Sequence, residues 1–177
     1  MTPLSNSSCQ RLSRRFILQT AIAALFVLLS SYAQTPTTPA HTNFSGRWRM
    51  LKDKSDFGGF AMPDIVVQAI DQHGFTLNVH TVETSGHKTS SADVTYFTDG
   101  SIVKNMINGR DAESKAFWDG PALMIRTDTK DSKGEDIVMQ DRWELSPDGR
   151  TLTRTSHIST PKGHADMKLI STKEKAD

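Results

Sequence analysis

Short runs of β-prone residues recur from Asn43 onward, cut by Gly, Pro and Asp at intervals of roughly 8–12 residues. No stretch of this region keeps apolar residues at the i, i+3, i+4 and i+7 spacing of an amphipathic helix for three turns. Both observations predict an all-β domain of about ten strands. The predicted strands are Phe44–Lys52, Asp64–Asp71, Phe75–Thr81, Ala92–Phe97, Ile102–Asn108, Ser114–Trp118, Ala122–Thr127, Glu135–Leu145, Thr151–Ser159 and His164–Thr172.

The turns between these runs indicate how the strands connect. Asp-Gly pairs occur at 99–100, 119–120 and 148–149, and glycine readily adopts the positive φ angles of tight hairpins. Successive hairpins predict an antiparallel meander, which removes its open edges by closing into a single up-and-down barrel of about 8–10 strands. Phe57–Pro63 interrupts the pattern and predicts a loop or short helical turn over one barrel end, acting as a lid or as a plug.

The N-terminus has the tripartite pattern of a secretory signal. Three arginines between positions 11 and 15 precede a mostly apolar run, Phe16–Leu29, and Ser31 and Ala33 supply small residues before a cut after Ala33. The apolar run is about 14 residues, short of the ~20 that span a bilayer, so no membrane span is expected after cleavage. An uncleaved membrane anchor is the alternative. The pattern therefore predicts a signal peptide over 1–33 and a periplasmic or extracellular protein.

The remaining chain divides into three predicted parts. Residues 34–42, with two prolines and four threonines, predict a flexible tether. The barrel domain covers 43–172, and the charged residues 173–177 predict a frayed tail. Ser13–Leu18 also resembles a twin-arginine signal, a route that would let the protein fold before export.

Charge and cysteine content exclude several classes of protein. Residues 1–33 carry three arginines and no acidic residue, so their removal takes the 21 basic residues to 18 against 20 acidic, a net charge of −2. This balance gives no basic excess to hold nucleic acid. The one cysteine, Cys9, precedes the apolar run, so the mature chain has neither a disulfide nor a cysteine zinc site. Oligomeric state does not follow from these features.

Strand alternation over Glu135–Leu145 predicts a polar group inside the barrel. Every second residue points the same way, and four of the five on one face are apolar: Ile137, Met139, Asp141, Trp143 and Leu145. If Ser146–Gly149 is a four-residue loop, Asp141 lies opposite Arg154 on this inward face. The pair is then either a buried ion pair that fixes register or a polar anchor for a ligand head group. A three-residue loop with a bulge would instead move Arg154 to the other face.

The segment Asn43-Phe44-Ser45-Gly46-Arg47-Trp48 carries a Gly-x-Trp motif, Gly46 and Trp48, on the first strand of the meander. This resembles the calycin group, which includes lipocalins and fatty-acid-binding proteins, and the resemblance covers 43–172. It implies that Trp48 closes one barrel end, with a basic residue of a late strand packed across it. Candidates for that residue are Arg142, Arg154 and Lys168. Members of the group bind small apolar molecules in the barrel, and a few are enzymes.

These observations favour an exported, lipocalin-like binding protein that holds a small apolar or amphipathic molecule. Asp141, Arg154, Trp143 and Met139 are the predicted ligand-binding residues. A structural or protein-interaction barrel with a solid core is the alternative, and a barrel enzyme using Asp141 is the second. No nucleophile motif is present, so we assign no catalytic residue and expect a protein that is not an enzyme. The six histidines have no convincing ligand spacing, so neither a metal nor a cofactor is expected.

Overall fold

The computed structural model describes residues 41–175. Ten antiparallel strands form a nearly closed barrel in this range, which confirms the predicted all-β fold. The predicted signal peptide and residues 34–40 of the predicted tether lie outside the described residues. Residues 41–175 contain no helix whose length and apolarity would let it cross a bilayer.

The strands run in chain order, with one 3₁₀ helix after the first. Their bounds are β1 Gly46–Met50, β2 Ile65–His73, β3 Thr76–Ser85, β4 Lys88–Phe97, β5 Ile102–Ile107, β6 Arg110–Asp119, β7 Ala122–Lys130, β8 Asp136–Leu145, β9 Thr151–Thr160 and β10 Gly163–Lys173, and the 3₁₀ helix is Lys52–Lys54. Consecutive strands pair as hairpins from β1 to β4 and from β5 to β10, and β1 also pairs with β10. The chain therefore makes a meander whose first and last strands meet.

The β4 and β5 strands form the two edges of the sheet, and a side chain joins them. The Thr95 N–H donates to Asn105 Oδ1 at 3.0 Å, and Asn105 Nδ2 donates to the Thr95 carbonyl at 2.9 Å. This amide makes the two hydrogen bonds that a neighbouring strand residue would make through its backbone. Asn105 thus fastens the seam of the barrel at a point where no β-ladder runs between β4 and β5.

One end of the barrel, which we call the filled end, carries the turns that follow β2, β4, β6 and β8. Trp48, Trp143 and Phe44 are completely buried there, and the Phe44 and Trp143 rings meet edge to face with centroids 5.9 Å apart. The Trp48 indole donates to the Phe44 carbonyl at 2.9 Å. The packed cluster also contains Ile70, Leu77, Val79, Tyr96, Ala116, Leu123, Ile125 and Leu152. Burial of each large apolar side chain contributes about 1.5–3 kcal/mol to stability, so the filled end supplies much of the fold's stability.

The opposite end, which we call the open end, carries the turns that follow the odd-numbered strands. Inward-facing side chains of β8, β9 and β10 are only part-buried there: Met139, Ser156, Ile158 and Met167. A side chain on the inner face of a barrel keeps contact with solvent only where the interior admits solvent. The barrel is therefore packed solid at one end and accessible to solvent at the other.

The loop between β1 and β2 lies at the open end and rests on β10. Asp56 and Lys168 exchange backbone hydrogen bonds of 2.7 Å. Gly58 has φ +58°, and a Cβ placed on it would lie 2.1 Å from the Asp166 carbonyl oxygen. Beyond this contact residues 57–63 are irregular, and Phe60 is 51% exposed. The loop is thus attached to the barrel through the close approach of Gly58.

We expect Gly58→Ala to release this loop from β10. The new methyl group would collide with backbone, which cannot move aside as a flexible side chain can. Gly59→Ala is the matched control, because Gly59 also has a positive φ of 89° but a Cβ there meets nothing within 4 Å. Limited proteolysis should cut Gly58→Ala faster within residues 56–63 than Gly59→Ala. Equal cleavage rates would show that Gly58 does not hold the loop.

The C-terminal boundary differs from the predicted one. β10 continues through Lys173, and the Glu174 N–H donates to the Arg47 carbonyl at 2.8 Å. The Glu174 carboxylate accepts from Arg47 and Arg49, the latter at 2.6 Å, and these hydrogen bonds hold its pKa below the usual range. Lys173 and Glu174 therefore belong to the barrel and not to a frayed tail.

The N-terminal boundary also lies earlier than predicted. The His41 ring stacks on Trp118 with centroids 4.5 Å apart and planes 6° apart. The Thr42 hydroxyl donates to the Pro121 carbonyl at 2.6 Å. These two residues, predicted as the end of a flexible tether, instead pack on the filled end.

Candidate functional site

The β8–β9 register places Arg154 differently from the sequence prediction. Trp143 pairs directly with Arg154, and Asp141 pairs with Ser156. The predicted direct pairing of Asp141 with Arg154 is therefore wrong by two residues. Asp141 and Arg154 still share the inner face, where they are diagonal neighbours.

The cause of the shift is the position of the turn, not its length. The Ser146 N–H donates to the Thr151 carbonyl at 2.9 Å, so Pro147–Arg150 is the four-residue loop. The prediction placed a loop of the same length at Ser146–Gly149, one residue earlier. Moving a hairpin loop by one residue moves every cross-strand partner by two, which preserves the face of each side chain.

Asp141 and Arg154 form a loose ion pair beneath the open half of the barrel. Arg154 Nη2 lies 3.9 Å from Asp141 Oδ2, beyond hydrogen-bond distance, and the side chains are 19% and 11% exposed. The guanidinium carbon of Arg154 lies 4.5 Å from the centre of the Trp143 indole, a cation–π contact. The two charges balance each other while leaving hydrogen-bonding capacity on both groups.

Three buried polar atoms of the described residues lack a hydrogen-bond partner: Gln68 Oε1, Trp143 Nε1 and Arg154 Nε. A buried donor or acceptor without a partner costs about 1–3 kcal/mol. Trp143 and Arg154 are in contact, so two unpartnered donors belong to one cluster. The arrangement can accept a group that carries hydrogen-bond acceptors.

Tyr96 adds a neutral aromatic wall to this cluster. Its ring centre lies 6.1 Å from that of Trp143, with the two planes at 79°. Burial raises the pKa of the Tyr96 phenol to about 12, the Arg154 charge opposes this shift, and the Asp141 charge adds to it. The phenol therefore stays protonated and uncharged at neutral pH.

We expect stability to fall as pH rises above about 10. The pKa of Tyr96 is about 12 in the folded protein and 10.0 for an ordinary tyrosine, so between these values the unfolded chain releases a proton that the folded chain retains. This favours the unfolded state by up to about 1.4 kcal/mol per pH unit. Urea denaturation from pH 8 to 11.5, with Tyr96→Phe as the control, measures the effect. An equally steep loss in Tyr96→Phe would contradict the assignment.

The Gly-x-Trp motif lies at the filled end. Gly46 has φ +142°, and Trp48 is completely buried. Lys173, the direct partner of Trp48 in the β1–β10 pair, places its ammonium 5.3 Å from the centre of the Trp48 ring. The basic residue across Trp48 is therefore Lys173. None of the predicted candidates, which are Arg142, Arg154 and Lys168, takes this place.

The structure places those candidates elsewhere. Arg154 lies on Trp143, and Arg142 is on the outer face, where it pairs with Asp119 at 2.8 Å. Lys168 is also on the outer face, because it lies between the inward-facing Met167 and Leu169 in the alternation of β10. The outer-face positions of Arg142 and Lys168 follow from strand alternation, whereas the contact of Arg154 with Trp143 follows from the β8–β9 register, which the sequence pattern did not define.

The enzyme hypothesis needs a partner for Asp141, either His157 or Arg154, and only Arg154 lies near it. His157 lies on the outer face opposite Gln140 and contacts Asp166 at 2.7 Å, whereas Asp141 faces inward. The structure thus brings Asp141 together with Arg154 but not with His157. Within residues 41–175, no group of three or more His, Cys, Asp or Glu side chains is placed to hold a metal ion.

Two depressions lie on the outer surface. The larger, of about 470 Å³, crosses β7–β10 and is lined mainly by outward-facing residues such as Met124, Arg142 and His157. The smaller, of about 380 Å³, crosses β2–β4 around His80 and Asp93. His157 contacts Asp166 at 2.7 Å in the larger depression, and His80 contacts Asp93 at 2.7 Å in the smaller one. The interior cluster, with its unpartnered donors, is the stronger candidate site.

Two buried residues with polar groups on the inner face were missed by the sequence prediction. Gln68 lies between Val66 and Ile70 on the inner face of β2, and Tyr96 follows Val94 on that of β4. A polar atom within an alternating apolar face is the same signal that identified Asp141. Applied to every strand, it would have found both.

The fold is similar to solved structures of small barrels. A zebrafish ileal bile acid-binding protein complexed with cholic acid is 18% identical, with a TM-score of 0.53 over 74% of this chain and 98% of that one. A secretory abundant heat-soluble protein of Ramazzottius varieornatus is 16% identical, with a TM-score of 0.53 over 73% and 94%. Lipid binding protein 8 of Caenorhabditis elegans, in its apo form, is 12% identical, with a TM-score of 0.53 over 74% and 95%.

Sequence comparison adds nothing to this likeness: no family model matches the chain, and no curated protein matches it. At these identities the solved structures show the fold alone. The ten-strand meander, its unpaired β4–β5 seam and its β1–β10 closure agree with that likeness. The chain has a calycin-like barrel fold.

Proposed function

We propose that the open half of the barrel interior binds a small amphipathic molecule. The observation that carries this proposal is the contrast between the two halves of the barrel. Inward side chains at the filled end are buried, whereas Met139, Ile158 and Met167 on the inner face remain accessible to solvent. Exposed apolar groups on a concave inner surface are stabilised when an apolar ligand displaces water from them.

The polar cluster provides the second half of an amphipathic site. Asp141 and Arg154 lie between the packed core and the accessible half, and Arg154 Nε and Trp143 Nε1 are free to donate. A ligand with its apolar part against Met139 and its polar head at Arg154 would satisfy both regions. Methionine side chains adapt their shape to such a ligand at low cost.

The solved neighbours support this proposal by analogy of fold. One is a bile acid-binding protein complexed with cholic acid, and another is a lipid binding protein. Because one fold can host several functions, the argument for this chain rests on its own interior residues.

Two adjacent residues on opposite faces of β8 provide a matched test. Met139→Lys places a charge inside the barrel, whereas Gln140→Lys places it on the exposed outer face. Titration with the neutral fluorophore Nile red should show binding to the wild type and to Gln140→Lys, with at least a tenfold loss in Met139→Lys. Circular dichroism checks that both variants fold. Equal binding by the two variants, or no binding by the wild type, would refute the interior site.

We also propose that the protein acts after export, with residues 1–33 removed. The support is the arginine-rich start, the short apolar run Phe16–Leu29 and the small residues before the cut after Ala33. N-terminal sequencing of the protein isolated from the periplasm or the medium should read from Gln34. Retention of the whole chain in the cytosol would contradict this proposal.

A further inference from the structure

Charge balance at the interior cluster restricts the kind of head group that the cluster can accept. Asp141 and Arg154 are both largely buried and face each other across 3.9 Å. An ionised carboxylate added beside them would leave the cluster with one unbalanced negative charge at low dielectric. Such a charge is costly to bury unless a cation compensates it.

Hydrogen-bonding capacity restricts the head group in a second way. Arg154 Nε and Trp143 Nε1 are donors without partners, and their side chains are in contact. A pure hydrocarbon would leave both donors unsatisfied. An oxygen atom of a hydroxyl, ester, ketone or amide could accept from them without adding charge.

We infer that the site selects a lipophilic molecule with an uncharged, oxygen-bearing head group over the corresponding free acid. This inference rests on the proposed function, because it assumes that the interior binds a ligand at all. It gives Asp141 a specificity role: its carboxylate neutralises Arg154 and thereby removes the cation that a free acid would need.

Three ligands with the same twelve-carbon skeleton test the inference: dodecan-1-ol, methyl dodecanoate and dodecanoate. Each competes with Nile red on the full-length wild-type protein at pH 7.5. We expect the alcohol and the ester to bind about tenfold more tightly than the acid, or better. Tighter or equal binding of dodecanoate would overturn the inference and leave the interior site intact. Failure of all three to displace the dye would overturn the proposed function, and the inference with it.

Two variants that change the interior charge in opposite directions give a second test of the preference between acid and alcohol. Asp141→Asn leaves the Arg154 charge unbalanced, so the affinity for dodecanoate should rise about tenfold relative to the affinity for dodecan-1-ol. Arg154→Gln leaves the Asp141 charge unbalanced, so the affinity for dodecanoate should fall further below the affinity for dodecan-1-ol than in the wild type. Asp128→Asn, on the outer face, is the control and should keep the wild-type preference. Unchanged preference in both interior variants would overturn the role of the pair, and the wild-type comparison remains decisive if either variant fails to fold.

Discussion

Trp143→Ala is expected to lower the free energy of unfolding by about 3–5 kcal/mol, the range for removing a large aromatic side chain from a packed core. Trp143 is completely buried. Its ring contacts Phe44 edge to face at 5.9 Å and Tyr96 at 6.1 Å, and it carries the Arg154 guanidinium. The substitution therefore removes aromatic, apolar and cation–π contacts together. Urea denaturation at pH 7 measures the loss.

Trp118→Ala is the matched control for this experiment. Trp118 lies at the same end of the barrel but is only partly buried, and it stacks on His41 near the surface. We expect Trp118→Ala to lower the free energy of unfolding by less than half as much as Trp143→Ala does. A loss below about 1 kcal/mol in Trp143→Ala would show that the filled end is not the main source of stability.

The second large effect concerns the interior ion pair. Arg154→Met and Asp141→Asn should each destabilise the fold by about 3 kcal/mol, the lower end of the range for breaking a buried pair, since each leaves an uncompensated charge. The double variant should lose less free energy of unfolding than the sum of the two single losses, because neither charge remains. The coupling energy of this double-mutant cycle, measured by urea denaturation, gives the strength of the interaction.

An exposed ion pair provides the contrast for this cycle. Arg126 Nη2 lies 2.7 Å from Asp128 Oδ1, closer than the interior pair, but both side chains are about half exposed. Solvent screening makes such surface pairs weak, so we expect a smaller coupling there despite the shorter distance. A coupling at Arg126–Asp128 equal to that at Asp141–Arg154 would indicate that the interior pair is also screened by water.

The strand pattern predicted the fold because it depends on local properties. Alternation along β8 placed Asp141, Trp143 and Leu145 on the inner face, and the ten turn-bounded runs predicted the ten strands. Faces follow from a period of two residues, which the sequence displays directly. The predicted β8–β9 register was wrong by two residues, but an error of this size leaves every side chain on its correct face. Asp141 and Arg154 were therefore predicted to share the inner face, as they do, although each was assigned the wrong direct cross-strand partner.

Contacts between distant strands could not be predicted in the same way. To predict the contact of Lys173 with Trp48, one needs the β1–β10 register. To predict the hydrogen bonds of Asn105 between β4 and β5, one needs to know which two strands of the sheet remain unpaired. The stacking of His41 on Trp118 joins residues far apart in the chain. Each contact depends on tertiary geometry that has no local signature, and a single sequence does not define that geometry.

Closure of the barrel through β1 and β10 has a consequence for synthesis. Gly46–Met50 obtains its second neighbouring strand only from 171–173, near the last described residues of the chain. During translation the emerging β1 can pair with β2, but its other edge stays unsatisfied until the ribosome has released β10. Such long-range closure slows folding relative to local hairpin formation. The nascent barrel thus exposes an open edge from the time β1 emerges until β10 has been made.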